Sequence, residues 1–127
     1  MKKLFISQPM RGKTNEEILA ERKKLIESVE RCTGERVDVI DSFFQNAPHD
    51  ARPLWFLGKS LELLSTADIA CFAKGWQQFR GCRIEHTCAM EYGLNLVIEF
   101  SDDDSYVLKS PAEYILQEAD GNRCEDK

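Results

Sequence analysis

Residues 69–100 read IACFAKGWQQFRGCRIEHTCAMEYGLNLVIEF, and this stretch decides the fold. Ile69 to Ala73 is a short apolar run of strand length, with Asp68 opening it. The loop Lys74-Gly75-Trp76-Gln77-Gln78 follows, then a helical pattern from Gly81 to Gly93, then a second apolar run from Asn95 to Phe100. Strand, helix and strand in that order make a parallel pair joined by a crossover, right-handed by the general rule. Glu85 then stands about one turn inside the helix, close to the loop that leaves the strand. Open α/β sheets bind ligands at this edge, beyond the carboxyl ends of their strands. A carboxylate placed there can act as acid, base or nucleophile on a bound substrate.

The alternation continues on both sides of this unit. Toward the N-terminus, Lys3 to Ser7 is a short apolar strand, and Gln8-Pro9-Met10-Arg11-Gly12-Lys13 is a loop punctuated by Pro and Gly. Thr14 or Asn15 caps a helix whose first turn carries Glu16 and Glu17. Ile18, Leu19, Arg22, Leu25, Ile26, Val29 and Cys32 recur at helical spacing down to Gly34, with the Arg22 stem at the margin of the stripe. Arg36 to Ile40 alternates as a second strand, residues 41 to 52 are loop-like, and Leu54, Leu57, Leu61 and Leu64 mark a helix over Leu54 to Ala67. Past Phe100, the acidic turn Asp102-Asp103-Asp104 leads to a fifth strand over Ser105 to Leu108 and a final helix over Pro111 to Glu118, while Gly121 to Lys127 reads as frayed. The expectation is one α/β domain with a four- to five-stranded parallel sheet and crossover helices.

Composition narrows the function classes. With 127 residues, 43% hydrophobic and 31% charged, the chain suits a single globular domain with a real core. A formal net charge of -5 makes it a poor candidate for gripping a nucleic-acid polymer, but does not oppose a small anionic ligand, because local fields at a site override net charge. No apolar run approaches a membrane span, and Leu4-Phe5-Ile6 is too short for a signal-peptide core. The five cysteines, Cys32, Cys71, Cys82, Cys88 and Cys124, contain no Cys-x-x-Cys pair and read as reduced thiols in a cytoplasmic setting. His49 and His86 have no ligand spacing, so no metal site is expected.

Two segments carry candidate chemistry. The loop Ser7-Gln8-Pro9-Met10-Arg11-Gly12 leaves the first strand and enters the first helix, where backbone N–H groups and a helix N-terminus face anions. Arg11 adds a planar charge that can fork onto phosphate or carboxylate, or else is a solvated loop arginine. The Gly-x-Gly-x-x-Gly fingerprint is absent, which disfavours a nicotinamide or flavin cofactor. In the second segment, Cys82, Glu85, Ala89 and Tyr92 fall on one side of the helix, a small or apolar row apart from Glu85. Such a carboxylate faces a pocket rather than bulk water. Trp76 stacks on a nucleobase, plugs the core or makes a subunit contact. Arg83 binds an anion or a neighbouring chain, His86 poises a proton or lies at a surface, and Asp68 serves turn chemistry.

The loop SQPMRG, the pair Ala67-Asp68 and the stretch RGCRIEHTCAMEYG together resemble the nucleoside 2-deoxyribosyltransferase-like superfamily, which includes nucleoside-5′-monophosphate N-glycosidases. The similarity runs in order over roughly residues 3 to 98, leaving residues 101–127 as a divergent extension. More narrowly, the chain looks like a small bacterial and phage branch with a Gly-Trp loop before Arg-Gly-Cys-Arg-Ile-Glu-His. The resemblance implies a flavodoxin-like three-layer sandwich and cleavage of the N-glycosidic bond of a nucleoside or nucleoside monophosphate, with transfer of the sugar to another base or to water. It implies Glu85 as the nucleophile, four residues after Gly81, and Arg11 on the 5′-phosphate. It places Ser7, Gln8, Met10, Gly12, Ser60, Trp76, Gly81 and Arg83 around the substrate, with no cofactor. The chain departs from the family pattern at Phe79, where members often carry Asp or Ser, at Ser60, where many carry Asp, and at Gln8, where glycine is common.

A helix bearing Leu54, Leu57, Leu61 and Leu64 together with Trp55 and Phe56 has more apolar surface than one sheet face can bury, which points to a homo-oligomer. Two further function classes follow from the residues: a nucleotide-binding module without turnover, motivated by Phe79 and Ser60, and a flavodoxin-like electron carrier, against which the first loop's lack of Ser/Thr/Gly richness speaks.

Overall fold

A computed structural model describes residues 1–44 and 46–113. The first strand, β1, covers Lys2–Ser7. Its side chains alternate between two cores: Leu4 and Ile6 join one apolar cluster and Phe5 the other, as expected for a strand covered on both faces. Helix α1, Asn15–Thr33, begins with a capping box in which the Thr14 side chain accepts from the Glu17 N–H and the Glu17 side chain accepts from the Thr14 N–H. It ends at Gly34, whose φ of 72° lets the backbone turn back and donate to the Glu30 carbonyl at 2.9 Å. Strand β2 (Val37–Val39), helix α2 (Pro53–Leu64), strand β3 (Ile69–Phe72), a single 3₁₀ turn (Trp76–Gln78), helix α3 (Arg80–Glu91), and strands β4 (Leu96–Phe100) and β5 (Tyr106–Lys109) follow.

The strands form one sheet in the order β2-β1-β3-β4-β5. The first four are parallel, with Ser7 opposite Phe72 and Phe72 opposite Glu99 in register. The fifth corrects the expectation of an all-parallel sheet, since β5 runs antiparallel to β4. Only Ser101 to Ser105 join the two strands, and so short a link reverses direction; a parallel return needs a crossover of a dozen or more residues. Asp104 takes a φ of 66° in that turn, and Asp103 accepts from both the backbone N–H and the hydroxyl of Ser105.

One face of the sheet packs Leu4, Ile6, Ile69, Cys71 and Ile98 against Leu25 and Val29 of α1. The other packs Phe5, Ala70, Phe72 and Val97 against Leu64 of α2 and Cys82 and Ala89 of α3. From β1 the chain crosses to β2 on one side; from β3 it crosses to β4 on the other. The carboxyl ends of β1 and β3 therefore border a crevice where the winding changes direction.

Element ends lie within one to three residues of the periodicity reading, the widest gap being at the end of α2. There the Thr66 hydroxyl donates to the Leu63 carbonyl at 2.7 Å, which ends the helix before Ala67. Two side chains sit otherwise than expected. Arg22 is buried at the centre of the α1 stripe, not at its margin. Tyr92 is 63% exposed, because α3 ends at Glu91 and its backbone leaves the helix there. The expected final helix beyond Glu113 and the end from Gly121 to Lys127 lie outside the described residues.

Candidate functional site

At the carboxyl end of β1 the pleat turns Ser7 toward α3. The buried Ser7 hydroxyl donates to Glu85 Oε1 at 2.6 Å. Glu85 reaches this place because Gly75, at φ 84°, turns the chain out of β3 into the 3₁₀ turn, from which α3 starts at Arg80. The carboxylate is buried, and burial raises its proton affinity above the ordinary glutamate range. Hydrogen bonds from Ser7 and then Ser60 pull in the opposite direction without cancelling the rise. Among the described residues no cationic side chain contributes to this balance.

Glu85 opens onto a cavity of about 1150 Å³. Its walls come from the loop after β1, the segment Ser42–Phe44 after β2, the first half of α2 and the start of α3. Much of the lining is aromatic: Phe5, Phe43, Phe44, Phe56 and Phe79. Three arginines, Arg11, Arg52 and Arg80, also line it. Among the described residues none of the three takes part in an ion pair. Arg52 is the N-cap of α2 and Arg80 the first residue of α3, and neither helix start has a side-chain cap. Uncapped N–H groups and unpaired guanidinium groups on one cavity suit an anion.

The loop after β1 is held from behind by the buried Arg22. Its guanidinium donates to Gln8 Oε1 at 3.1 Å, and to the Ile40 carbonyl and Ser42 Oγ, both at 3.3 Å. Gln8 in turn donates to the Ile18 carbonyl and to Glu21. Burial holds Arg22 below the usual arginine value. One side chain thus ties α1 to two walls of the cavity.

Of the ten residues expected at the substrate, Ser7, Gln8, Met10, Arg11, Ser60, Gly81 and Glu85 come together around this space. Gln8 lines it, but its amide is committed to α1 and Arg22. Three do not line it. Gly12 forms the turn behind the loop, at φ 82°. Arg83 points to the 3₁₀ turn and donates to the Gln77 carbonyl at 2.9 Å. Trp76 is buried, stacked on His86 with ring centroids 4.2 Å apart and tilted against Phe72 at 5.5 Å, which is the core-plugging alternative. His86 pairs with Glu99 at 2.6 Å. Asp68 accepts from the Lys3 N–H at 2.8 Å, in keeping with a structural role.

Sequence reasoning missed Arg80, Arg52, Ser42 and the Arg22 strut. The signals were available for the first two: Pro53 at a helix start makes Arg52 its cap, and Arg80 immediately precedes the glycine that opens the third helix. Cys82 also lines the cavity, but burial, opposed by a Ser7 hydrogen bond, pushes its thiol up to about 11, so it is no ready nucleophile. No cluster of potential metal ligands occurs among the described residues, and none of their helices is long and apolar enough to cross a membrane. Comparisons with protein-family models, curated proteins and solved structures give no match to this chain.

Proposed function

We propose that the chain is a flavodoxin-like three-layer member of the nucleoside 2-deoxyribosyltransferase-like superfamily that cleaves, or transfers across, the N-glycosidic bond of a nucleoside monophosphate. The observation that carries this reading is Glu85: a buried carboxylate whose partners among the described residues are hydroxyls, open to a cavity that also holds three arginines. A carboxylate without a cation retains its nucleophilicity, and its attack on the anomeric carbon discharges an oxocarbenium-like transition state into a covalent sugar ester. Ser7 orients the Oε1 atom through its 2.6 Å hydrogen bond. Arg11, Arg52 and Arg80, with the uncapped start of α3, take the phosphate, and the phenylalanine walls take the base. Water or a second base then releases the sugar. The reading includes a cytoplasmic location and a homo-oligomer, the latter supported by Leu54, 75% exposed on α2 at the edge of the cavity.

The test is release of free base from a panel of nucleosides, deoxynucleosides and their monophosphates. The expected result is release from a monophosphate that the Glu85→Ala variant abolishes; release indifferent to that substitution removes Glu85 from the chemistry. A second reading is a nucleotide-binding module without turnover, favoured by the apolar Phe79 side chain in the cavity wall. It predicts a raised melting temperature with a nucleotide and no base release.

A further inference from the structure

Breaking a C1′–N bond needs two things: a group to receive the sugar and a way for the departing nitrogen to carry the bonding electrons. Glu85 meets the first need. The second is ordinarily met by a general acid that protonates the base as it leaves, a contribution of roughly 10²–10⁴-fold. Among the described residues that line the cavity, Glu85 is the only carboxyl group, and no aspartate, histidine, lysine or tyrosine joins it. The arginines cannot give up a proton at accessible pH. The Cys82 thiol is pushed up to about 11 by burial, which makes it a weak proton donor. The two histidines are elsewhere: His86 is bound to Glu99 and stacked on Trp76, and His49 is exposed in the loop before α2. Glu85 cannot fill both roles in one step, because it must be ionised to attack.

Resting on the glycosidic reading above, we infer that the leaving group is a cationic base, that is, that the preferred substrate is a phosphorylated ribosyl-pyridinium or N-alkylated purine nucleotide rather than an ordinary neutral one. The Glu85 carboxylate oxygen forms a bond to C1′ as the C1′–N bond breaks. The electron pair goes to the ring nitrogen, cancels its positive charge and frees a neutral base, so no proton is required. Water then attacks C1′, the ester C–O bond breaks to return the carboxylate, and the water proton passes to solvent. The sum is cationic nucleotide plus water giving sugar phosphate, neutral base and a proton. The remaining surroundings agree. The phenylalanine walls suit a flat cation, and the arginines, which would repel a bare cationic nucleoside, hold it through its phosphate.

The experiment uses matched substrates and the intact protein. Release of base is measured, after subtraction of spontaneous loss, from nicotinamide mononucleotide and from guanosine monophosphate with and without an N7-methyl group. The expected result is Glu85-dependent release from both cationic nucleotides at least ~100-fold faster than from unmethylated guanosine monophosphate, the lower end of what a missing acid costs. The rate should rise once with pH, as Glu85 ionises, with no falling alkaline limb from an enzymic acid. Glu85-dependent release of guanine from the unmethylated nucleotide within ~10-fold of the methylated one overturns this inference and leaves the glycosidic reading standing. Release from neither cationic nucleotide overturns this inference, and the glycosidic reading falls with it only if the wider panel of nucleosides, deoxynucleosides and monophosphates also releases no base. Glu85→Gln accompanies Glu85→Ala, each with a melting curve, so that loss of activity is separated from loss of fold.

Discussion

Glu85 and Glu99 are both withdrawn from water, and their surroundings are opposite. Glu99, in β4, receives His86 Nε2 at 2.6 Å and Lys109 Nζ at 2.9 Å. Burial by itself would raise its proton affinity, but hydrogen bonds from His86 and Lys109 and their charges overturn that and hold it below the ordinary range. Glu85 has hydroxyl partners, and burial prevails. The first acid is neutralised by its neighbours and locks α3 and β5 to β4. The second is left with its charge uncompensated beside an open space. Burial alone therefore does not single out a candidate carboxylate; burial without a cation beside a cavity is what sets Glu85 apart from Glu99.

The largest expected effect tests the chemical half of this contrast. Glu85→Gln, nearly isosteric, should lower base release by at least ~10³-fold, whereas Glu99→Gln should leave most of it intact. Equal losses measured in the same assay would place both acids in one structural network. Next come the arginines. Arg11→Ala and Arg80→Ala should each raise KM for a phosphorylated substrate by roughly tenfold, the worth of one charge-assisted contact, and change little for its dephosphorylated counterpart. A matching rise for both substrates would show that these side chains hold the fold or the base instead.

Stability should move in opposite directions at the two acids. Glu99 has a depressed proton affinity, so its contribution is present above the ordinary carboxylate range and lost as pH falls through the folded-state value. Glu99→Gln should lower Tm at neutral pH by roughly 3–8 °C, the size expected for losing ~1–2 kcal/mol of charged hydrogen bonding, with the deficit shrinking in acid. Glu85 has the reverse sign. Its folded-state value is raised, so the ionised form burdens the fold above that value and the burden disappears below the ordinary range. Glu85→Gln should raise Tm by roughly 2–4 °C at neutral pH and leave it unchanged in acid, which thermal melts across pH will read. A fall in Tm at neutral pH would mean that the Ser7 bond outweighs desolvation.

How far the sequence could carry this picture depends on how local each signal is. The Glu85 position was legible because helix periodicity put a lone acid between Cys82 and Ala89, and all three are buried. The cap of α1 was legible to within one residue, as Thr14 or Asn15, because both stand just before the acidic first turn, and Thr14 takes the role. The antiparallel β5 was not, because an apolar run shows the same pattern in either direction; only the short link before it carried the information. Trp76 could be read either way until its stacking partner His86, ten residues on, was in place. Arg22 escaped because a charged residue on an apolar stripe reads as a margin position. Its burial depends on acceptors in Gln8, Ile40 and Ser42, which no local window joins to it.

That arginine has a mechanical consequence. Since one guanidinium fastens both the segment behind β1 and the segment behind β2 to the same helix, neither can swing independently. On the opposite side of the crevice the start of α2 is largely exposed, with Leu54 keeping three-quarters of its surface in water. The crevice thus has one braced jaw, and that jaw carries the Ser7 hydroxyl that meets the Glu85 carboxylate.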